Sequence, residues 1–212
     1  MIICCYTEID NQWGKQELAD KLASLPERSI KEALRKTQWL DMQLSITGKL
    51  LLVQLLKNLG LDKKLSLTHL RYTEFDRPYF DDNFDFNIAH SGKLAVCCGV
   101  LNGKVGVDIE QIKHIDLDDF IDHFTENEWN KINRSSDRHE KFYTYWTRKE
   151  AVLKAIGTGL NTPLSSIDIS AANLVYDDQT YYLRSANIVD GYKCHIATTI
   201  KHSKIHLIPV IL

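Results

Sequence analysis

Asp108 and Glu110 stand two residues apart in the run KVGVDIEQI, and Lys149, Glu150 and Lys154 crowd into the stretch WTRKEAVLK. On a strand, side chains two apart project from the same face, so the two acids would lie side by side. Like charges so placed repel, and a shared divalent cation relieves the repulsion. On a helix, Glu150 and Lys154 are neighbours at a spacing of four. Carboxylates, waters and a phosphate-bearing substrate are the usual way Mg²⁺ is held. The set therefore fits a Mg²⁺–pyrophosphate site, with Asp108, Glu110 and Glu150 on the metal and Lys149 and Lys154 on phosphate oxygens. A plainer reading makes D-x-E the solvent face of an edge strand.

Lys149 is the odd member. Phe142, Tyr145, Val152, Leu153 and Ile156 repeat at three-and-four spacing, which marks a core-facing helical stripe, and Lys149 falls inside it. A buried ammonium without a partner costs several kcal/mol. Lys149 needs an anion, a structural carboxylate, or a path to water along its own stem. A second basic group lies upstream: Arg28, Lys31, Arg35 and Lys36 on an early helical segment, with Arg71 and Arg77 flanking a later loop. His90-Ser91-Gly92 follows a strand, where imidazole, hydroxyl and backbone N–H can meet an anion.

The elements that must position these residues are legible in outline. Residues 2–9 (IICCYTEI) read as a strand. A helical region runs from about Gly14 to Leu59, with Pro26 at a helix start and Gly60 at an end. The stretch RYTEFDRPYFDDNFD reads as a loop. FNIAHSG and LAVCCGVL read as strands, and Asn102-Gly103 signals a hairpin returning through KVGVDIEQI. A two-residue loop would pair Cys97 with Asp108, Ala95 with Glu110 and Gly99 with Gly106, leaving open volume above the two acids. Thr125-x-x-Glu128 predicts a capping box, and a long helix follows from about Ser136 to Ile156, ended by Gly157 and Gly159. Short strands (IDIS, LVYDD, TYYLRS, KCHIATTI, KIHLIPVIL) complete the chain. Strand, helices and strands thus occur twice, predicting an α+β fold with an N-terminal half over 1–102 and a C-terminal half over 103–212.

Composition sets the bounds. With 212 residues, 44% hydrophobic and 25% charged, the chain can bury a substantial core. A net charge of −2 gives no global pull on nucleic acid or an anionic membrane, so any anion handling is local. The five cysteines form neither a C-x-x-C site nor a disulfide framework, which fits a reducing compartment. No signal-peptide pattern opens the chain, and the apolar segment Leu50–Leu59 is broken by Gln54 and Lys57. A cytoplasmic location is expected.

Taken together, FNIAHSG…GVDIE…WTRKEAVLK resembles the 4′-phosphopantetheinyl transferases, specifically the larger type that activates surfactin-synthetase-like carrier proteins. The pattern is a G-[IV]-D-[IVL]-E strand followed some forty residues later by W-[ST]-x-K-E-[AS]-x-x-K. Gly106–Glu110 and Trp146–Lys154 match it throughout, and Arg77-Pro78 and HFTENEW also align in order. The resemblance covers roughly residues 26–165. It implies two similar α+β halves related by a pseudo-twofold axis in a single chain, hence a monomer. It also implies transfer of the phosphopantetheine arm of coenzyme A to a serine of an acyl or peptidyl carrier protein, releasing 3′,5′-ADP. Carried over by motif, Asp108, Glu110 and Glu150 bind Mg²⁺ (or Mn²⁺), and Lys149 and Lys154 contact the pyrophosphate. His90 with Ser91, Arg28 and Lys31 serve the 3′-phosphate or nucleotide end, and Arg71 and Arg77 are further coenzyme A candidates. The serine proton would pass to Glu150, directly or through a water on the metal, and HFTENEW with the segment after Glu110 would face the carrier. Three positions depart from the pattern: Leu44 stands where an arginine is expected, Ala89 replaces a frequent serine, and Asp76 replaces a frequent glycine.

Two rival classes share some of these features. A Mg²⁺-dependent nuclease also pairs acids with a lysine, but usually places that lysine two residues after a strand acid, where this chain has Ile112. A non-catalytic carrier-binding homologue would not need all three acids and both lysines.

Overall fold

The computed structural model describes residues 1–159 and 162–212. Its first sheet has the order β10-β1-β5-β4, built from β1 (Ile2–Glu8), β4 (Phe84–Ser91), β5 (Leu94–Leu101) and β10 (Ile205–Pro209). β1 and β5 are antiparallel, with Cys4 opposite Cys98, while β10 runs parallel to β1. The last strand therefore completes the sheet that the first one begins. The first four residues of β1 and all but the last of β5 are buried and carry no polar side chain except cysteine, as befits strands covered on both faces. One face carries α1 (Lys15–Ala23), α2 (Glu27–Leu34) and α3 (Trp39–Asn58), which read from sequence as one helical region. Pro26 caps the start of α2, and Gly60, at φ +68°, follows the end of α3. Leu44, Leu51, Leu55, Phe84 and Phe86 fill this layer. The expected loop contains a two-residue ladder between β2 (Arg71–Tyr72) and β3 (Pro78–Tyr79).

A second sheet, ordered β6-β9-β8-β7, comprises β6 (Val105–Gln111), β7 (Asn173–Tyr176), β8 (Gln179–Ser185) and β9 (Tyr192–Thr198). IDIS forms no strand. Between the sheets lie Ile2, Cys4, Cys98, Val107, Ile109 and Ile196, all buried. On the far side α5 (Arg138–Ile156) packs across β6 and β9, preceded by α4 (Glu126–Asn133), whose Thr125–Glu128 capping box is present. The α+β class is as expected, with helices outside and sheets inside.

The hairpin expected at Asn102-Gly103 does not form. Both edges of β5 are occupied, by β1 and β4, so β6 pairs with β9 instead, placing Asp108 opposite His195 and Glu110 opposite Lys193. The other edge of β6 meets side chains. Val105 N–H donates to Asp85 Oδ2 (2.8 Å), Val107 N–H to Asn87 Oδ1 (3.0 Å) and Gln111 N–H to Ser91 Oγ (3.1 Å). These rungs, alternating along β4, satisfy edge amides that would otherwise be orphaned between the sheets.

Candidate active site

Gly106 decides how near α5 approaches the acidic strand. A Cβ there would stand 2.1 Å from the Ala151 carbonyl oxygen and 2.4 Å from the Ala155 nitrogen, so only glycine lets the helix backbone rest on β6. The volume expected above the acids is thus filled by helix, and α5 brings Glu150 and Lys154 to Asp108 and Glu110. The helix is set by Asp137, whose Oδ1 accepts from Glu140 N–H (2.8 Å), and ends at Gly157 with φ +87°.

Lys154 Nζ donates to Asp108 Oδ1 at 2.6 Å, and Ser91 Oγ donates to Glu110 Oε2 at 2.5 Å. Asp108 is buried and its Oδ2 has no hydrogen-bond partner. Burial, the largest cause, pushes the Asp108, Glu110 and Glu150 carboxyls above their ordinary pKa. The Asp108 charge raises both glutamates further. Although burial opposes its charge, Lys154 is held above the usual lysine value by Asp108, Glu150 and Glu110. Three carboxylates therefore face one ammonium.

Among the described residues, no group of three acid, His or Cys side chains is already arranged to hold a metal ion. Lys154 occupies one oxygen of Asp108 and Ser91 one of Glu110. The donor chemistry nonetheless fits a hard divalent cation. An orphaned buried carboxylate oxygen, mutual repulsion among three acids and uncancelled negative charge are what such an ion relieves.

Two clefts adjoin these groups and share Pro78. One, of about 240 Å³, is lined by Glu150, Lys154, Asn87, Leu153 and Phe75. The other, of about 520 Å³, is basic: Arg28, Arg35, Lys36, Lys49 and His90 line it, with Glu32 and Asp76. His90 is lowered from its ordinary pKa by desolvation in the cleft wall and by the charges of Lys154 and Lys36.

Several predicted site residues have other duties. Lys149 is fully buried, its Nζ 2.7 Å from Glu128 Oε2 and 2.9 Å from the Leu164 carbonyl, with Ile167 O as a third acceptor. Every donor is satisfied inside the core, so Lys149 cannot contact a pyrophosphate. Arg77 reaches both oxygens of Asp85 (3.0 and 3.1 Å) and the carbonyls of Val105 and Ala155. It clamps β4, β6 and α5 together, and it also lines the small cleft. Ser91 serves Glu110 and the Gln111 amide rather than a nucleotide. Lys31 is exposed and pairs with Glu27, and Arg71 is exposed and pairs with Asp81; neither lines the basic cleft. Arg28 does line it, stacked 3.3 Å over the Tyr72 ring and bound to Glu32 and Asp76. HFTENEW is partly core: Phe124 and Glu128 are buried, while His123, Glu126 and Asn127 are exposed.

The sequence reading missed Asn87, Ser45 and Lys49. Ser45 and Lys49 are four apart on α3, a spacing that puts both on one face, but the apolar surroundings hid it.

Residues 104–202 match the 4′-phosphopantetheinyl transferase superfamily. The chain is similar over most of its length to 4′-phosphopantetheinyl transferase gsp of Aneurinibacillus migulanus, 28% identical over 92% of this chain and 84% of that protein. A putative 4′-phosphopantetheinyl transferase of Haemophilus influenzae is 36% identical over 66% of this chain and 64% of its own. Sfp of Bacillus subtilis is 28% identical over 61% of this chain and 63% of its own.

Proposed function

We propose that this chain transfers the 4′-phosphopantetheine arm of coenzyme A to a serine hydroxyl of an acyl or peptidyl carrier protein, releasing 3′,5′-ADP. The observation that carries the reading is the junction of a basic cleft with a smaller one walled by Glu150 and Lys154, directly beside the buried Asp108. The basic cleft suits the phosphorylated nucleotide end, and the narrower one suits the slender pantetheine arm.

Asp108, Glu110 and Glu150 would hold Mg²⁺, or Mn²⁺ in its place. When bound, the ion supplies neutralisation of charge on the pyrophosphate as the phosphoanhydride bond breaks. Lys154, partly exposed and already oriented by Asp108, stabilises the departing 3′,5′-ADP. Glu150 makes no hydrogen bond or ion pair among the described residues and lines the cleft. Raised in pKa by burial and by Asp108, it is the acid best placed to accept the serine proton. Ser91 positions Glu110, and Arg77 with Asp85 fixes the helix against both sheets.

A monomer in the cytoplasm is part of the reading. All five cysteines are free and buried, and no helix among the described residues is long and apolar enough to cross a membrane. The test is incubation of the purified chain with coenzyme A, Mg²⁺ and apo carrier proteins, followed by intact-mass spectrometry. Addition of one phosphopantetheinyl group at the carrier serine is expected. Coenzyme A binding with no transfer to any carrier of a broad panel would favour the non-catalytic homologue instead.

A further inference from the structure

The basic cleft looks crowded with cations, but most of them are already neutralised. Arg28 is bound to both acids of the cleft, Nε at 2.9 Å from Glu32 and Nη2 at 3.0 Å from Asp76. Lys31 is turned outward onto Glu27. Lys49 differs. Its side chain is only 12% exposed, and the one acid within ion-pair range of it among the described residues, Glu32, stands at the outer limit, 4.0 Å away and already engaged by Arg28. Burial lowers its pKa, with Glu32 opposing. A desolvated ammonium with no close counter-ion is a costly arrangement unless an anion arrives. Beside it stand the Ser45 hydroxyl on the same helix face, the His90 ring, and Lys36 and Arg35, which form no ion pair among the described residues.

Position 44, where the related pattern has arginine, is here Leu44, buried in the core with 2% exposure and unable to reach a ligand. The same helix supplies a cation five residues further on, on the face that lines the cleft. We infer that Lys49, with Ser45 beside it, is the specificity-determining contact for the ribose 3′-phosphate of coenzyme A, the group that separates this substrate from its dephosphorylated form. The inference rests on the transferase reading for the identity of the ligand. What is new is which side chain discriminates: a largely buried cation on α3, in place of the exposed Lys31 and the salt-bridged Arg28.

The variant Lys49→Met keeps the length and packing of the stem and removes the charge, and thermal melting checks that it folds. Dissociation constants for coenzyme A and 3′-dephospho-coenzyme A, measured by calorimetry on the full chain, give the readout. Wild type should prefer coenzyme A. Lys49→Met should weaken coenzyme A by at least about tenfold, leave the dephosphorylated ligand within about twofold, and so collapse the preference; Lys49→Arg should restore most of it. Equal weakening of both ligands, or a preference kept intact in Lys49→Met, overturns the assignment while leaving the transferase reading standing. A wild-type chain that binds neither ligand overturns both.

Discussion

Lys149 and Lys154 lie five residues apart on α5, and each meets a carboxylate, Glu128 at 2.7 Å and Asp108 at 2.6 Å. Their surroundings make these different devices. Around Lys149 both partners are fully buried, and Glu128 also accepts from the Thr125 and Ile169 amides, so every polar atom of the pair is occupied. The result is a strut tying α4 and the segment after Pro163 to α5. Around Lys154 the ammonium is partly exposed, one oxygen of its partner is orphaned, and two further acids stand nearby without a cation of their own. One region is electrostatically closed and the other open. Incomplete satisfaction, rather than the presence of charge, marks the candidate site.

The sharpest way to break this contrast is to change one group from each region and read activity and stability together. Glu150→Gln keeps shape and removes the proposed base. Turnover should fall at least about 100-fold, with thermal melting unchanged or slightly raised, because a repelling carboxylate has gone. A near-normal rate would remove Glu150 from its role. Lys149→Met should do the reverse, leaving Glu128 buried and uncompensated at a cost of about 3–5 kcal/mol. Chemical denaturation measures that loss. Adding Glu128→Leu should recover much of it, since a paired apolar replacement is often tolerated. If Lys149→Met instead melted normally and raised KM for coenzyme A, Lys149 would belong to the open region after all.

The same contrast explains what could be read without coordinates. Helical periodicity placed Lys149 in the apolar stripe and posed the right question, and Thr125-x-x-Glu128 was legible as a cap. That Glu128 turns back to neutralise Lys149 was not, because capping is local whereas the contact depends on how α4 packs on α5. The D-x-E strand and the lysine helix were read as neighbours on chemical grounds, and they are. The register was misread, since Asn-Gly speaks only for a turn and cannot reveal that β1 and β4 have taken both edges of β5. Likewise Arg77, beside Pro78 in a familiar motif, gave no hint of Asp85, Val105 and Ala155, three acceptors from three distant elements.

His195 sits on the border of the two regions. It is buried, opposite Asp108 across the ladder, and its Nδ1 lies 2.7 Å from Thr147 Oγ1 on α5. Burial, helped by Arg148 and Lys193, lowers its pKa to about 3, so it is neutral in the folded chain. The unfolded chain takes up a proton near the ordinary histidine value of about 6.5, while the folded chain refuses it. This group therefore contributes stability in full above pH 6.5 and loses it as pH falls towards 3, by about 1.4 kcal/mol per unit. At pH 5 the loss is about 2 kcal/mol. The site acids carry the opposite sign, since their raised values favour the folded state as they protonate. His195→Gln should flatten the decline in stability between pH 6.5 and 5, measured by denaturant titration at each pH. An unaltered acid limb would show that His195 is not the group responsible.

Ser91 offers the smallest and most discriminating change. Its hydroxyl donates to Glu110 Oε2 and accepts from the Gln111 amide, so it fixes the rotamer of Glu110 and leaves one carboxylate oxygen free. If the open region holds a cation, that orientation matters for metal affinity before any substrate is present, because partners behind a ligand typically change affinity 10- to 100-fold. Ser91→Ala should weaken Mn²⁺ binding by about tenfold, read by electron paramagnetic resonance on the chain without coenzyme A, while Ser91→Thr should retain it. The Gln111 amide loses its acceptor in Ser91→Ala, so stability falls by about 1 kcal/mol as well. That loss alone would not change the metal titration. Should Ser91→Ala bind Mn²⁺ as wild type does, Glu110 is oriented by something else and Ser91 is only one rung of the seam between β4 and β6.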